Sequence, residues 1–188
     1  MDGDNGGRNR SGQRRERVRR PLDEASLREL ALSYVARFAT SRAKLVTYLG
    51  RKLRERGWNG AEDPDAAAVA DKAVELGLID DAAYAGMKGA SLTRRGYGKG
   101  RVRMALAASG IDAEDGTAAL AAADEQALAA ALRFAEKRRI GPYSAATLDP
   151  QARQRALGAM LRAGHPMALA RMIVAALPGT VEQLLDQR

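Results

Sequence analysis

From residue 22 onward, apolar residues recur with the period of an α-helix. Leu27, Leu30, Ala31, Tyr34 and Phe38 fall at i, i+3, i+4, i+7 and i+11, which places them on one helix face. The same spacing returns in shorter stripes, namely Leu45, Leu49 and Leu53; Val102 and Leu106; Leu128 and Leu132; and Leu157 and Leu161. Alanine and leucine dominate, and runs of β-branched residues are few, so the pattern predicts an all-α protein.

Start signals divide this pattern into separate helices. Thr40 or Ser41 is suited to cap the second helix with its hydroxyl group. Asp63-Pro64 and Asp149-Pro150 each offer a capping carboxylate followed by a proline at the first helical position. A short alanine-rich helix is expected around residues 118–122.

Glycines close the basic, leucine-striped helices at a nearly fixed period. Gly57, Gly110 and Gly164 lie 53 and 54 residues apart, and a short helix follows each of them. Such a period predicts three tandem three-helix repeats that form an elongated, curved body. The expected boundaries are 21–78, 79–123 and 124–178, with a C-terminal extension at 179–188. The alternative is a single irregular helical bundle with chance spacing.

Composition and charge add an expected class of partner. Aromatic residues make up only 4%, so the core must consist mostly of Ala, Leu and Val. The net charge of +8 suggests an anionic polymer or an acidic protein as partner. Residues 1–20 carry seven arginines against three acids and almost no apolar side chain, which predicts a disordered tail. This tail either keeps the protein soluble or acts as a basic arm that raises the rate of encounter with an anionic partner.

Several kinds of chemistry are excluded or not expected. The absence of cysteine excludes disulfides, zinc fingers and thiol catalysis. His165 is the single histidine, cannot form a metal cluster, and is expected to be a solvent-facing cap residue. No apolar run approaches a membrane span and no secretory signal is visible, so we expect a cytoplasmic protein. We find no nucleophile–base or acid–base pair, so neither enzyme activity nor a cofactor is expected.

The most distinctive segment is a basic turn at residues 94–101, between two predicted helices. It contains four cations in eight residues and no acid. Those cations are Arg94, Arg95, Lys99 and Arg101. Helices do not need such a turn in order to pack, so it predicts a surface for an anionic partner. Its three glycines resemble a phosphate loop, but no strand precedes them, so a nucleotide site is not expected. Tyr97 either stacks on a base or covers the junction between its own helices.

The residues around this turn resemble the central signature of the RecX family. The matching segments are Asp80–Ala85, Arg95–Val102 and Leu106–Ile111, while Ser41–Leu45 and Arg153–Gly164 are similar to the family pattern in the outer repeats. The resemblance covers about residues 25–177. The first repeat departs from the family by about four extra residues in its second helix. The family often places an aromatic residue after the closing glycine, and Trp58 supplies one, whereas His165-Pro166 does not. Trp58 is expected to plug the space between repeats.

The resemblance implies three three-helix repeats and a regulator of the RecA recombinase. RecX-like proteins bind RecA filaments, lodge in the helical groove and limit filament growth on single-stranded DNA. They thereby inhibit strand exchange, ATP hydrolysis and the co-protease activity that triggers the SOS response, and so modulate DNA repair and recombination. Two alternatives remain: a sequence-independent DNA-binding protein, and a helical scaffold whose charges only keep it soluble. We expect a monomer with RecA filaments as partner and single- or double-stranded DNA as a further one.

The residues expected to contact RecA or DNA are cations of all three repeats and one tyrosine. They are Arg94, Arg95, Tyr97, Lys99, Arg101 and Arg103 in the middle repeat, Arg42, Lys44, Arg51 and Arg54 in the first, and Arg155 and Arg162 in the third. Arginine suits either partner, because its planar fork matches carboxylate and phosphate alike.

Overall fold

The computed structural model describes residues 20–185, and this part of the chain forms ten α-helices and one short 3-10 helix. The expected disordered tail at residues 1–20 lies outside the described residues, apart from Arg20. Within the described range the one β-type contact is an isolated bridge between Leu22 and Trp58. The all-α prediction is therefore confirmed.

The first three helices are α1 (Glu24–Val35), α2 (Arg42–Arg56) and α3 (Ala66–Glu75). Ser41 caps α2, as one of the two predicted candidates, by accepting from the Lys44 N–H. The predicted start of α3 at Asp63-Pro64 is wrong, because the Asp65 carboxylate accepts from the Ala68 N–H at 2.8 Å and caps the helix two residues later. Asp63 and Asp65 are both suited to cap a helix. The fixed φ of Pro64 fits a loop as well as a first helical turn, so it does not decide between them.

The next three helices are α4 (Asp81–Arg94), α5 (Lys99–Ala107) and α6 (Ala113–Glu125). The short helix expected around residues 118–122 is in fact thirteen residues long. Asp112 starts it early by accepting from the Asp115 N–H at 2.8 Å. Small residues then let α6 approach α4 closely, since a Cβ added at Gly89 would lie 3.3 Å from the Ala119 Cβ. The weak apolar stripe of α6 predicted a shorter helix because its contact with α4 is made by small residues.

The third group comprises α7 (Ala127–Arg138), the 3-10 helix Gly141–Tyr143, α8 (Pro150–Arg162) and α9 (Met167–Ala175), and is followed by α10 (Val181–Leu185). The Asp149-Pro150 start signal is confirmed, because Asp149 accepts from the Ala152 N–H at 2.7 Å and Pro150 occupies the first helical position. The last helix, α10, lies in the expected C-terminal extension and buries Leu184 in the same apolar cluster as Met160 and Ile173.

Three separate apolar clusters hold these helices together, one for each group. The main buried members are Leu22, Leu27, Leu45 and Leu49 in the first, Tyr84, Val102 and Leu106 in the second, and Phe134, Met160 and Ile173 in the third. Each group buries its own apolar stripes, as expected of a repeat protein and not of one irregular bundle. The three-helix repeat architecture is confirmed, while the repeat boundaries given above stay a prediction.

Trp58 belongs to the first cluster and does not plug the space between repeats, so that expectation is wrong. Its backbone lies beside Leu22, its ring packs against the first core, and its Nε1 donates to the Glu62 carbonyl at 2.6 Å. The loop between α2 and α3 supplies this partner, and the spacing of apolar residues carries no information about it.

Candidate partner-binding surface

The basic turn, residues 94–101, packs directly against the loop that follows α8. The Gly98 N–H donates to the Ala163 carbonyl at 3.0 Å, and the Gly100 N–H donates to the Gly164 carbonyl at 3.0 Å. These two backbone hydrogen bonds join the second repeat to the third, and we call this contact the glycine seam. They also satisfy two N–H groups at the start of α5, which a helix terminus leaves without an intrahelical partner.

The glycines of the turn are required by this close approach. A Cβ at Gly98 would collide with the Gly164 carbonyl, and a Cβ at Gly164 would collide with the Arg101 N–H. Gly164 also has φ +89°, a conformation that costs other residues strain. Gly96 has φ +91°, and a Cβ there would lie 3.0 Å from the Phe134 nitrogen. The glycine spacing that resembles a phosphate loop thus serves contact between two backbones.

His165 is buried in the same contact, so the expectation of a solvent-facing residue is wrong. It is only 4% exposed, its Nε2 lies 3.1 Å from the Gly96 carbonyl, and its ring is tilted against Phe134 at 5.5 Å between centroids. A carbonyl only accepts, so Nε2 donates, and Nδ1 is buried without a partner. Burial lowers the pKa of His165 more than the hydrogen bond to Gly96 raises it, which favours the neutral ring.

Tyr97 lies half-buried at this junction and organises the charge of the turn. Its ring packs against the third core. The guanidinium groups of Arg95 and Arg101 lie 5.4 Å and 5.9 Å from its ring centroid. At such distances a cation is attracted to the aromatic ring. Two exposed arginines from opposite ends of the turn therefore contact the same aromatic ring.

The fold adds cations that the sequence did not assign to this surface. Lys137, near the end of α7, donates from Nζ to the Arg95 carbonyl at 3.1 Å. The guanidinium of Arg138 lies 5.5 Å from the Phe134 ring centroid. The run of cations at residues 137–139 was a visible signal, but it also suits a helix C-terminus. Only the fold shows that it lies beside the turn. We call Arg95, Tyr97, Arg101 and Lys137 the basic surface.

The other predicted residues of the middle repeat differ in their surroundings. Arg94 and Arg103 are exposed. The Lys99 Nζ lies 2.9 Å from the Asp124 carboxylate on α6. The turn contains no acid of its own, but the fold brings one to Lys99 and offsets part of its charge.

Two predicted cations of the first repeat are held in contacts within and between repeats. The guanidinium of Arg42 binds both carboxylate oxygens of Asp71, and the backbone N–H of Arg42 donates to Asp81 at 2.9 Å. Lys44 donates from Nζ to the Tyr84 hydroxyl at 2.7 Å. These contacts give Arg42 and Lys44 structural roles between the first and second repeats.

The environment of Tyr84 reflects the same lysine. Burial acts to raise the pKa of the Tyr84 phenol, but hydrogen bonds with Lys44 and Ser109 and the charges of Lys44 and Lys88 outweigh it, so the pKa is lowered. The nearby ammonium groups stabilise the ionised phenol, which is why the pKa falls although burial opposes it. This half-buried pair of Lys44 and Tyr84 joins α2 to α4.

The remaining predicted residues are dispersed along the chain. Arg51 forms an ion pair with Glu55 at 3.7 Å, and its guanidinium lies 5.7 Å from the Tyr48 ring centroid. Arg54 on α2 is exposed, as are Arg155 and Arg162 on α8. Arg95 and Arg101 both contact Tyr97, and Lys137 contacts Arg95. Among the described residues, no such contact joins the other predicted cations to this group.

Other kinds of site find no support in the part of the chain that the structure describes. No helix there is long and apolar enough to cross a membrane. No group of three or more His, Asp or Glu side chains there is arranged to hold a metal ion.

The fold and the surface together define a protein of tandem three-helix repeats with a basic surface where the second and third repeats meet. Residues 80–120 match the family model described as RecX, second three-helix domain. The chain is 30% identical over 186 residues to the regulatory protein RecX of Myxococcus xanthus, which covers 95% of this chain and all of that protein. It is also 34% identical over 111 residues to the regulatory protein RecX of Mycobacteroides abscessus, or 58% of this chain and 52% of that one.

Solved structures show the same fold. The crystal structure of RecX from Lactobacillus salivarius superposes with a TM-score of 0.61 at 20% identity, over 87% of this chain and 97% of that chain. A second crystal structure of regulatory protein RecX gives a TM-score of 0.57 at 22% identity, over 79% of this chain and 70% of that chain. The chain belongs to the RecX family of regulatory proteins, and the resemblance drawn from its residues is confirmed.

Replacing Gly98 with alanine tests the glycine seam. The new Cβ meets a backbone carbonyl, which cannot rotate away as a side chain can, so the Gly98→Ala protein should lose about 1–3 kcal/mol of unfolding free energy. Gly86→Ala is the matched control, because a Cβ there meets nothing within 4 Å, and alanine should stabilise α4 by about 0.5–1 kcal/mol. Denaturant unfolding measures both, and equal effects would contradict the seam.

A second prediction concerns pH and His165. Because its pKa is lowered in the folded protein, the unfolded chain binds the proton more readily. A fall in pH therefore lowers the free energy of unfolding. The loss begins below the ordinary histidine pKa of about 6.5 and is complete below the pKa of the folded state. The difference in unfolding free energy between the wild-type protein and a His165→Gln variant should therefore shift against the wild type between pH 7.5 and pH 5. A difference that stays constant over this range would show that His165 is not buried as a neutral ring.

Proposed function

We propose that this protein binds RecA nucleoprotein filaments and limits their growth. It thereby inhibits strand exchange, ATP hydrolysis and co-protease activity and modulates DNA repair and the SOS response. The observation that carries the proposal is the basic surface of this RecX-family member, in which Arg95 and Arg101 both contact the Tyr97 ring and Lys137 binds the Arg95 carbonyl. Preordered guanidinium groups lose less side-chain entropy on binding, and they suit carboxylates presented by the groove of a protein filament.

The tandem repeats support a filament as the partner. Cations of the first and third repeats, such as Arg54 and Arg155, are exposed on the same chain as the basic surface. Several weak contacts on one body raise the effective concentration of each, so a protein of this kind gains avidity from a repeating partner. The protein acts in this proposal as a cytoplasmic monomer that works by binding, without a cofactor or a reaction of its own.

A sequence-independent DNA-binding protein is the second candidate. The net charge of +8 and the hydrogen bond that holds Lys137 at the Arg95 carbonyl favour it. Phosphate contacts release counterions, so binding of this kind weakens steeply as salt rises.

One assay separates the candidates. The protein is added to preformed RecA filaments at physiological salt, and ATP hydrolysis is followed. Sub-stoichiometric inhibition supports filament binding through RecA. Inhibition only when the protein suffices to coat the DNA supports the DNA-binding candidate. Unchanged hydrolysis at every concentration would overturn both and leave a helical scaffold.

Charge reversal tests the basic surface itself. The double variant Arg95→Glu/Arg101→Glu should weaken inhibition about tenfold or more, because like charges placed at an interface cost several kcal/mol. Both side chains are exposed, so helicity measured by circular dichroism should stay unchanged. Arg37→Glu/Arg171→Glu changes the net charge equally at exposed residues outside the predicted set and should inhibit nearly as well as the wild type. Equal inhibition by the two double variants would contradict the proposed surface.

A further inference from the structure

An open apolar groove lies in the first repeat, far along the chain from the basic surface. It has a volume of about 400 Å³ and is bordered by α1 and α3. Leu27, Ala31 and Ala73 are buried at its base, whereas Leu32 and Leu76 on its walls are 52% and 61% exposed. Leu78, which is 45% exposed, extends the wall beyond α3. Exposed apolar side chains grouped along a groove are typical of a site that binds another molecule.

The rim of this groove is acidic, although the whole chain is strongly basic. Glu24, Glu62, Asp63 and Asp65 line it, against two cations, Arg28 and Lys72. One of those cations is already engaged, because the Lys72 Nζ lies 2.8 Å from the Glu75 carboxylate. An apolar base with a negative rim therefore forms part of a protein with a net charge of +8.

We propose that this apolar groove binds an amphipathic helix of a partner protein, with an apolar face bordered by lysine or arginine. A helix laid between two helices presents side chains at i, i+3 or i+4, and i+7 to such a groove. The cations at its edges then meet the carboxylates of the rim. This inference goes beyond the proposed function, because it concerns a different repeat and a partner of the opposite charge.

Other occupants fit the groove less well. Residues 1–19 are basic, but Met1 and Val18 are their only large apolar residues, so they cannot fill an apolar base. A second copy of this chain in a twofold dimer would place the same acidic rim against itself, which is repulsive. A small apolar ligand would find few polar groups at the buried base to orient it, since Leu27, Ala31 and Ala73 form it.

Trp58 makes the proposal directly measurable. It is the only tryptophan of the chain, and it lines the groove. The probe is a designed helical peptide without tryptophan, with leucines at i, i+4 and i+7 and lysines along the edges of that face. We expect saturable change of Trp58 fluorescence when the full-length protein is titrated with this peptide. The same peptide with glutamates in place of the lysines should bind about tenfold more weakly, and its binding should strengthen as salt rises, because salt screens its repulsion from the acidic rim.

Variants of the protein separate the apolar contribution from the charged one. Leu32→Gln/Leu76→Gln should weaken binding of the lysine peptide about tenfold or more, and Glu62→Gln/Asp63→Asn should weaken it several-fold and reduce its salt dependence. All four residues are exposed, so the fold should tolerate both changes. Met104→Gln, at a methionine of α5 that is 53% exposed, is the matched control and should bind as the wild type does.

Three results would overturn the proposal. One is unchanged Trp58 fluorescence up to millimolar peptide, whether the groove is covered by another part of the chain or binds nothing. Another is equal binding of the lysine and glutamate peptides. The third is a concentration-dependent dimer, detected by light scattering, that the peptide dissociates, because the occupant would then be a second copy.

Discussion

The contact on which the basic surface depends is the pair of backbone hydrogen bonds between Gly98 and Ala163 and between Gly100 and Gly164. Two backbones approach so closely here that neither side tolerates a Cβ at Gly98 or Gly164. The approach sets the start of α5 and places Tyr97 against the third core. Arg95 and Arg101 in turn both contact the Tyr97 ring. The charge that a partner would meet is therefore positioned by an uncharged contact.

The same geometry recurs between the first and second repeats with different chemistry. The Ser41 hydroxyl donates to the Ser109 carbonyl at 2.5 Å, one residue before a closing glycine, as the Gly98 N–H donates to Ala163. A Cβ at Gly110 would collide with Ala43, near the start of α2, just as one at Gly164 would collide with Arg101. Each of these closing glycines thus meets the second helix of the preceding repeat. Gly57 ends α2 of the first repeat, and a Cβ there would meet nothing within 4 Å.

This recurrence explains why the fold could be predicted from the sequence. The period of the glycines reflects a contact that each junction between repeats must make, and caps such as Ser41 and Asp149 mark helix starts through purely local hydrogen bonds. The errors at the candidate site concern contacts between distant residues. His165 hydrogen-bonds to the Gly96 carbonyl, 69 residues away, and Lys137 to the Arg95 carbonyl, 42 residues away. No local pattern contains such partners, so part of the basic surface could be found only in the structure.

Amide hydrogen exchange at the start of α5 reports on the two backbone hydrogen bonds themselves. If the glycine seam forms in solution, the Gly98 and Gly100 amides should exchange as slowly as amides inside α5. Ala168, in the first turn of α9, is the reference, because no side chain caps that helix, and its amide should exchange rapidly. Exchange of Gly98 and Gly100 as fast as that of Ala168 would show that the second and third repeats are not joined in this way. It would contradict the claim that an uncharged backbone contact positions the basic surface.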